Sequence, residues 1–155
     1  MKVYLDTNVW CRPFDDLRQE RILDEAESLN KLLLMKSAGL LKIITSEAAI
    51  AEVSLIEDIE KKEQVESLIN SSAIELIQVD DQLIKLADDV KSACKLKDFM
   101  DALHIAASLQ SCTFLLTCDD ELTKNASVFE ANLHKLGYSI KIRNPVNFLE
   151  EMEVE

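Results

Sequence analysis

Acidic side chains directly follow two apolar stretches of this sequence, at the positions where buried strands would end. The stretch KVYL is followed by Asp6, and the stretch TFLLT is followed closely by Asp119 and Asp120. A carboxylate at the end of a buried strand costs free energy unless hydrogen bonds or a positive charge compensate it. The repeated arrangement therefore predicts that these acids share one site.

Two predicted helices add further acids to this set. In TSEAAIAEV, Ser46 is a plausible N-cap and Glu52 lies on the flank of the apolar face. The segment KDFMDALHIAAS is apolar nearly all round, which is typical of a buried helix. Its narrow polar stripe holds Asp101 and His104, and Asp98 lies one turn earlier. A carboxylate on such a helix needs a partner, and no arginine lies nearby in the sequence.

Several carboxylates that converge without matched cations repel one another, and hard divalent cations resolve this repulsion. Mg²⁺ and Mn²⁺ prefer carboxylate oxygens and commonly share their coordination with substrate phosphates. Two such ions about 3.5–4 Å apart can activate a water and stabilise the leaving oxygen of a phosphodiester. The acids therefore predict a Mg²⁺ or Mn²⁺ centre for phosphodiester hydrolysis.

Each acid also has a simpler explanation when it is considered alone. Asp6 could cap a turn, and Asp119 with Asp120 could cap a helix and favour its dipole. Glu52 could be a solvated helix residue. His104 is more typical of a buried, hydrogen-bonded histidine than of a metal ligand. The combination favours a functional site more strongly than any single member does.

The surrounding pattern alternates strands and helices. Strands are predicted at residues 2–5, 41–45, 74–79, 113–117 and 139–143, and helices at 18–37, 46–59, 81–94, 98–110 and 124–136, with a last helix from Pro145. This alternation predicts an α/β domain with a mostly parallel sheet. Ligands bind beyond the carboxyl ends of such strands, so Asp6 and Asp119 face one crevice if their strands are neighbours.

Length and composition fit one domain over residues 1–150 and an acidic tail over 151–155. The net charge of -12 argues against a broad basic surface for nucleic acid, although bound cations reverse the local sign. No signal segment or membrane span is predicted. The 4 cysteines form no CxxC pair, which favours free thiols in a reducing cytoplasm.

Four motifs in sequence order resemble those of the PIN domain family of nucleases: LDTN, TSEAAIAEV, DFMDALHIAAS and LLTCDD. The resemblance covers nearly the whole chain. The stretches RPFDDLRQERILDEA and NPVNFL are also similar to a subgroup of stand-alone prokaryotic PIN proteins.

The resemblance implies a Rossmann-like three-layer fold, with a five-stranded parallel sheet in the order 3-2-1-4-5. It implies a Mg²⁺- or Mn²⁺-dependent endoribonuclease that cuts single-stranded RNA. The metal-binding catalytic acids carried over by the motifs are Asp6, Glu52, Asp101 and Asp119. The last of these is chosen over Asp120 because of its spacing from Thr117.

The resemblance also implies a supporting set: Asn8, Ser46, Asp98, Thr117 and Asp120. Ser46 and Thr117 would hold a ligand carboxylate or a water through their hydroxyls, and Asn8 would brace the loop after the first strand. Basic residues that could guide RNA flank the first and third motifs: Arg12, Arg18, Arg21, Lys95 and Lys97.

Other functions stay open at this point. An aspartate-dependent phosphatase would carry a second Asp two positions after Asp6, where this chain has Asn8. A catalytically weak PIN-like binding or scaffold module would more often lack some of the four acids. Small PIN proteins are often toxins held inactive by a protein antitoxin, and PIN domains commonly form homodimers, so both partners are expectations.

Overall fold

Five short strands form one parallel sheet in the computed structural model, which describes residues 1–154. The strands are β1 (Lys2–Leu5), β2 (Lys42–Ser46), β3 (Glu75–Ile77), β4 (Phe114–Leu116) and β5 (Lys141–Arg143). Their order is β3-β2-β1-β4-β5, and every neighbouring pair is parallel. The predicted sheet is confirmed, and β1 lies beside β4 with Leu5 opposite Leu116.

The helices are α1 (Thr7–Cys11), α2 (Glu20–Ser37), α3 (Glu47–Ser54), α4 (Ile59–Ser72), α5 (Asp81–Cys94), α6 (Phe99–Ser108), α7 (Asp120–Lys124), α8 (Ala126–Lys135) and α9 (Pro145–Val154), with a 3₁₀ turn at Arg12–Phe14. The prediction of one helix over 46–59 is wrong, because α3 ends at Ser54 and Asp58 caps a separate α4. The helix predicted at 124–136 corresponds to α8, except that Lys124 belongs to the separate short helix α7, which was not predicted. Residues 151–154 of the predicted tail belong to α9, and Glu155 lies outside the described residues.

Apolar side chains cover both faces of the sheet, giving three layers. Successive residues of a strand point to opposite faces. On β1, Tyr4 packs in the cluster with α5, α6 and α8, whereas Val3 and Leu5 pack in the cluster with α1, α2, α4 and α9. All three side chains are fully buried. Burial on both faces explains why these strands are apolar throughout.

Helix α6 is buried along most of its length, as its apolar sequence predicts. Every residue from 102 to 108 is buried, including His104. Asp101 lies in the first turn and is half-buried. Close packing fixes the rotation of this helix, so the directions of its polar side chains are fixed as well.

All four cysteines are free, and three of them are buried: Cys94, Cys112 and Cys118. Burial raises the pKa of Cys94 and Cys112 to about 11, so these thiols stay protonated near neutral pH. Within residues 1–154, no helix has both the length and the apolar character that crossing a membrane requires.

Candidate active site

Asp6 lies at the junction of β1 and α1, and neighbouring groups fix both of its carboxylate oxygens. Its Oδ1 accepts from the backbone N–H of Thr7 at 2.7 Å, which caps α1. Its Oδ2 accepts from Thr117 Oγ1 at 2.8 Å and from Asn8 Nδ2 at 3.4 Å. Asp6 is only 5% exposed. Helix capping and membership of a larger acidic site are therefore compatible at this residue.

Asn8 and Thr117 connect the turn after β1 to the turn after β4. Asn8 Oδ1 accepts from the backbone N–H of Cys118 at 3.0 Å, and its Nδ2 lies 3.3 Å from Thr117 Oγ1. The same Thr117 oxygen accepts from the backbone N–H of Asp119 at 3.1 Å. These bonds fix the relative position of the two turns that carry Asp6 and Asp119.

Glu52 extends from α3 toward Asp6. Its Oε1 accepts a hydrogen bond of 2.7 Å from Thr7 Oγ1 and contacts His104 Nε2. The same nitrogen lies 3.4 Å from Asp6 Oδ1. One potential ligand atom from each of Asp6, Glu52 and His104 lies within 4.8 Å of the other two. A histidine nitrogen therefore joins two of the four predicted acids.

His104 is held from its other side by residues of β1 and β2. Its Nδ1 lies 2.7 Å from the Tyr4 hydroxyl, which lies 2.6 Å from Ser46 Oγ. Ser46 Oγ also accepts from the backbone N–H of Ala49, capping α3. The Ser46 hydroxyl contacts Tyr4 and reaches Glu52 through Tyr4 and His104. Its expected role of holding a ligand carboxylate or a water stays a prediction.

Asp101 is affected both by burial and by the acids around it. Its partial burial and the nearby negative charges of Asp6, Asp119 and Asp98 raise its pKa to about 7, and His104 opposes this shift. Asp101 and Asp119 do not belong to the tighter group of ligand atoms around His104. The structure thus brings Asp6 and Glu52 into direct proximity, with Asp101 and Asp119 as electrostatic neighbours.

The acids of this site act electrostatically on His104. Burial lowers the pKa of His104, but the charges of Asp6, Glu52 and Asp101 outweigh burial and hold it above its ordinary value. Burial likewise raises the pKa of Glu52, but hydrogen bonds from His104 and Thr7 bring it below its ordinary value. The imidazole is thus the partner that the sequence did not reveal.

Asp98 and Asp119 each cap a helix, which is the simpler role that the sequence also allowed for Asp119. Asp98 caps α6 through a 2.8 Å bond from the backbone N–H of Met100. Asp119 caps α7 through a 2.9 Å bond from the backbone N–H of Glu121. In each case the acceptor is Oδ1, and no hydrogen bond to Oδ2 is found among residues 1–154.

Asp120 forms an ion pair away from this crevice. Arg21 of α2 donates to its two oxygens at 2.8 and 2.9 Å, and also to the backbone carbonyl of Cys118 at 2.8 Å. The ion pair lowers the pKa of Asp120. Asp120 therefore connects α7 to α2. Asp119, one residue earlier, lies in the turn that hydrogen bonds with Thr117 and Asn8 fix in place.

Glu25, a buried acid that was not predicted from the sequence, lies next to the ion pair of Arg21 and Asp120. Glu25 of α2 is 1% exposed and receives bonds from Arg12 at 2.9 Å, Arg21 at 3.4 Å and Asn144 at 2.6 Å. The signal was its position four residues before Leu29, on the apolar face of α2. Glu25 joins α2, the 3₁₀ turn and the segment before α9.

The basic residues expected near RNA fall into two groups. Arg12 and Arg21 are occupied by carboxylates, and the exposed Arg18 pairs with Asp16. Lys95 and Lys97 form no salt bridge with any residue of the described chain. Both lysines line an open groove of about 290 Å³ that reaches Asp101.

The donor set fits a divalent cation. Asp6 and Glu52 offer the carboxylate oxygens that Mg²⁺ and Mn²⁺ accept, and His104 offers an imidazole nitrogen that suits transition metals. Burial and the negative charges of Asp6, Asp119 and Asp98 together raise the pKa of Asp101, and a bound cation would offset the contribution of these charges.

Comparisons with known proteins agree with the fold. VapBC2 from Rickettsia felis, bound to a DNA fragment from its promoter, has a TM-score of 0.61 and 16% identity, covering 93% of this chain and 98% of that one. FitAB bound to an IR36 DNA fragment has a TM-score of 0.61 and 21% identity, covering 93% and 95%. No curated protein matches significantly. The family model for the PIN domain matches residues 3–128, and the chain therefore belongs to the PIN domain family.

Proposed function

We propose that this protein is a metal-dependent endoribonuclease that hydrolyses phosphodiester bonds of single-stranded RNA. The observation that carries the proposal is the proximity of Asp6 and Glu52 beyond the carboxyl end of β1, with Asp101 near enough to Asp6 that burial and the surrounding negative charge raise its pKa to about 7. Membership of the PIN domain family, which consists of nucleases, supports the same reaction class.

The residues proposed to hold Mg²⁺ or Mn²⁺ are Asp6, Glu52, Asp101 and Asp119. When bound, such an ion lowers the pKa of a water and neutralises charge that develops on the phosphate. The protein contributes orientation: Thr117 and the backbone of Thr7 hold the carboxylate of Asp6 from two sides. Side chains fixed in this way need little reorganisation during the reaction.

Lys95 and Lys97 are the residues we propose for contact with RNA phosphates. They are exposed and line the groove that leads to Asp101. Phosphate binding requires cations that are not already neutralised. Arg12 and Arg21 fit this role poorly, because each already donates to carboxylates, and Arg18 is proposed only as a peripheral contact.

A protein partner is the second part of the proposal. The two similar structures, VapBC2 and FitAB, are each bound to DNA, and one DNA fragment comes from the promoter of that assembly. By analogy of fold, we propose that this chain is the toxin of a toxin–antitoxin pair in the cytoplasm. Copurification with the product of a neighbouring gene tests the antitoxin, and light scattering tests the expected homodimer.

The nuclease proposal is tested with purified protein and a mixed pool of single-stranded RNA, in Mn²⁺ and in chelator. Cleavage should require the metal, and Asp101→Asn should reduce it by orders of magnitude. Asp89→Asn is the matched control, because Asp89 is an exposed acid of α5. Equal cleavage by Asp101→Asn would assign the activity to a contaminant. RNA binding without cleavage under every metal condition would favour the alternative of a binding or scaffold module.

A further inference from the structure

The crevice contains a nitrogen donor, although the family motifs point to carboxylates alone. His104 Nε2 contacts Glu52 Oε1 and lies 3.4 Å from Asp6 Oδ1. Bonds of about 2.0–2.1 Å to one octahedral ion separate neighbouring ligand atoms by about 3 Å and opposite ones by about 4 Å. The three donor atoms lie within 4.8 Å of one another, so one ion can take up all three once it replaces the hydrogen bond between Nε2 and Oε1.

The imidazole is fixed as a metal-binding histidine usually is. Histidine ligands commonly hold their second ring nitrogen in a hydrogen bond that sets the tautomer and the ring direction. Here Nδ1 lies 2.7 Å from the Tyr4 hydroxyl, which in turn lies 2.6 Å from Ser46 Oγ. Without metal, Nε2 is hydrogen-bonded to Glu52. If Nδ1 donates to Tyr4 and Tyr4 donates to Ser46, release of the Nε2 proton on metal binding leaves the Nε2 lone pair free for the ion.

Burial keeps His104 in this orientation. The residue is 1% exposed and sits on α6, whose residues 102–108 are all buried. Moving the ring away from Asp6 and Glu52 would require repacking of a dense core. Nε2 is therefore a permanent part of the crevice.

We propose that His104 is a nitrogen ligand of the metal centre and makes this centre select Mn²⁺ over Mg²⁺. The inference rests on the proposed metal-dependent nuclease. Imidazole suits transition metals, whereas Mg²⁺ prefers an all-oxygen environment that includes several waters. Carboxylates accept both ions, so the preference should come from the histidine.

The alternative is that His104 only positions Glu52 through their hydrogen bond. A positioning residue would affect the affinities for Mn²⁺ and Mg²⁺ alike, because Glu52 can bind either ion. It would also leave no nitrogen in contact with the metal. Metal preference and direct detection of nitrogen therefore separate the two roles.

The variant His104→Asn provides the first test. Its amide keeps a polar group close to the position of Nδ1, within reach of Tyr4, and lacks an atom at the position of Nε2. His134→Asn is the matched control, because His134 is the other histidine of the chain and is exposed on α8. Calorimetric titration with Mn²⁺ alone and with Mg²⁺ alone gives the dissociation constants.

We expect His104→Asn to weaken Mn²⁺ binding at least about tenfold and to change Mg²⁺ binding less than about threefold. The wild type and His134→Asn should bind Mn²⁺ more tightly than Mg²⁺. If His104→Asn weakens the binding of Mn²⁺ and Mg²⁺ by similar factors, His104 is not a ligand and only positions Glu52.

Pulsed electron paramagnetic resonance of Mn²⁺ bound to the wild type provides the second test, which does not depend on folding of a variant. Coupling to a nitrogen that changes on ¹⁵N-histidine labelling, and is kept in His134→Asn, supports ligation by His104. Bound Mn²⁺ without nitrogen coupling overturns this inference but leaves the proposed nuclease intact. Failure of the wild type to bind either ion overturns both.

Discussion

Thr117 Oγ1 donates a hydrogen bond of 2.8 Å to Asp6 Oδ2, joining residues that are 111 positions apart in sequence. The contact exists because β1 and β4 are neighbouring parallel strands, whose carboxyl ends meet at one edge of the sheet. Thr117 also accepts from the backbone N–H of Asp119. One hydroxyl thus connects both strand-end acids of the proposed centre.

Replacing Thr117 by Val should separate these acids without creating a large cavity. The change leaves the buried Oδ2 of Asp6 and the N–H of Asp119 with fewer partners. We expect the free energy of unfolding to fall by about 1–3 kcal/mol and RNA cleavage to fall as well. Urea unfolding and cleavage assays measure the two effects. Thr117→Ser keeps the hydroxyl and should retain most of both properties. If Thr117→Val keeps as much stability and cleavage as Thr117→Ser, the hydrogen bond from Thr117 to Asp6 contributes to neither property.

Glu25 should be a major determinant of stability. It is almost fully buried between Arg12, Arg21 and Asn144. Glu25→Ala leaves these donors without their shared acceptor, and we expect a loss of about 3–5 kcal/mol in urea unfolding. Glu27→Ala, an exposed change in the same helix, should cost less than about 0.5 kcal/mol. Similar losses in the two variants would contradict the role assigned to Glu25.

Lys95 and Lys97 should contribute to RNA affinity without contributing to stability. Replacing both by Gln should weaken binding of single-stranded RNA and reduce the salt dependence by about 1.4 in the slope of log K against log salt. The melting temperature should be unchanged. Lys135→Gln is the control, because Lys135 is exposed on α8. An unchanged salt slope in the double variant would place the RNA path elsewhere.

Metal-free protein should lose stability as the pH rises, because of Asp101. The pKa of this carboxyl is raised from 3.8 to about 7 in the folded state. Since the folded state binds the proton more tightly, the stabilisation is complete below about pH 4 and is lost as the pH rises through 7. In chelator, Asp101→Asn should therefore lose less stability than wild type between pH 5 and pH 8. Asp89→Asn should follow wild type. Parallel pH profiles for wild type and Asp101→Asn would show that folding does not raise the pKa of Asp101.

The sheet and its acidic edge could be predicted because their signals are local. An apolar stretch followed by Asp6 predicts a strand end, and the alternation of strands and helices predicts parallel pairing. The break between α3 and α4 was missed because the apolar pattern continues through Leu55 and Ile56, whereas the capping of α4 by Asp58 decides the boundary.

The partners of the acids could not be predicted in the same way, because they depend on contacts between distant segments. Tyr4 has the sequence pattern of an ordinary core strand residue, and its hydroxyl meets His104 across 100 positions of sequence. Arg21 was expected at an RNA surface, but Asp120 lies 99 positions away and engages it. Glu25 differs from these residues: its place on the apolar face of α2 is visible in the sequence, so its burial could have been predicted.

Thermal melts of wild type and Asp101→Asn, each in Mn²⁺ and in chelator, decide whether Asp6, Glu52, Asp101 and Asp119 form one metal centre. Mn²⁺ at about 100 times its dissociation constant should stabilise wild type by about 2.7 kcal/mol, or roughly 5–10 °C. In chelator, Asp101→Asn should be as stable as wild type or more stable, because it removes a repelling charge. In Mn²⁺ it should lose most of the added stability. A variant destabilised equally with and without metal, or a wild type that does not respond to millimolar Mn²⁺, would show that these acids do not form one metal centre.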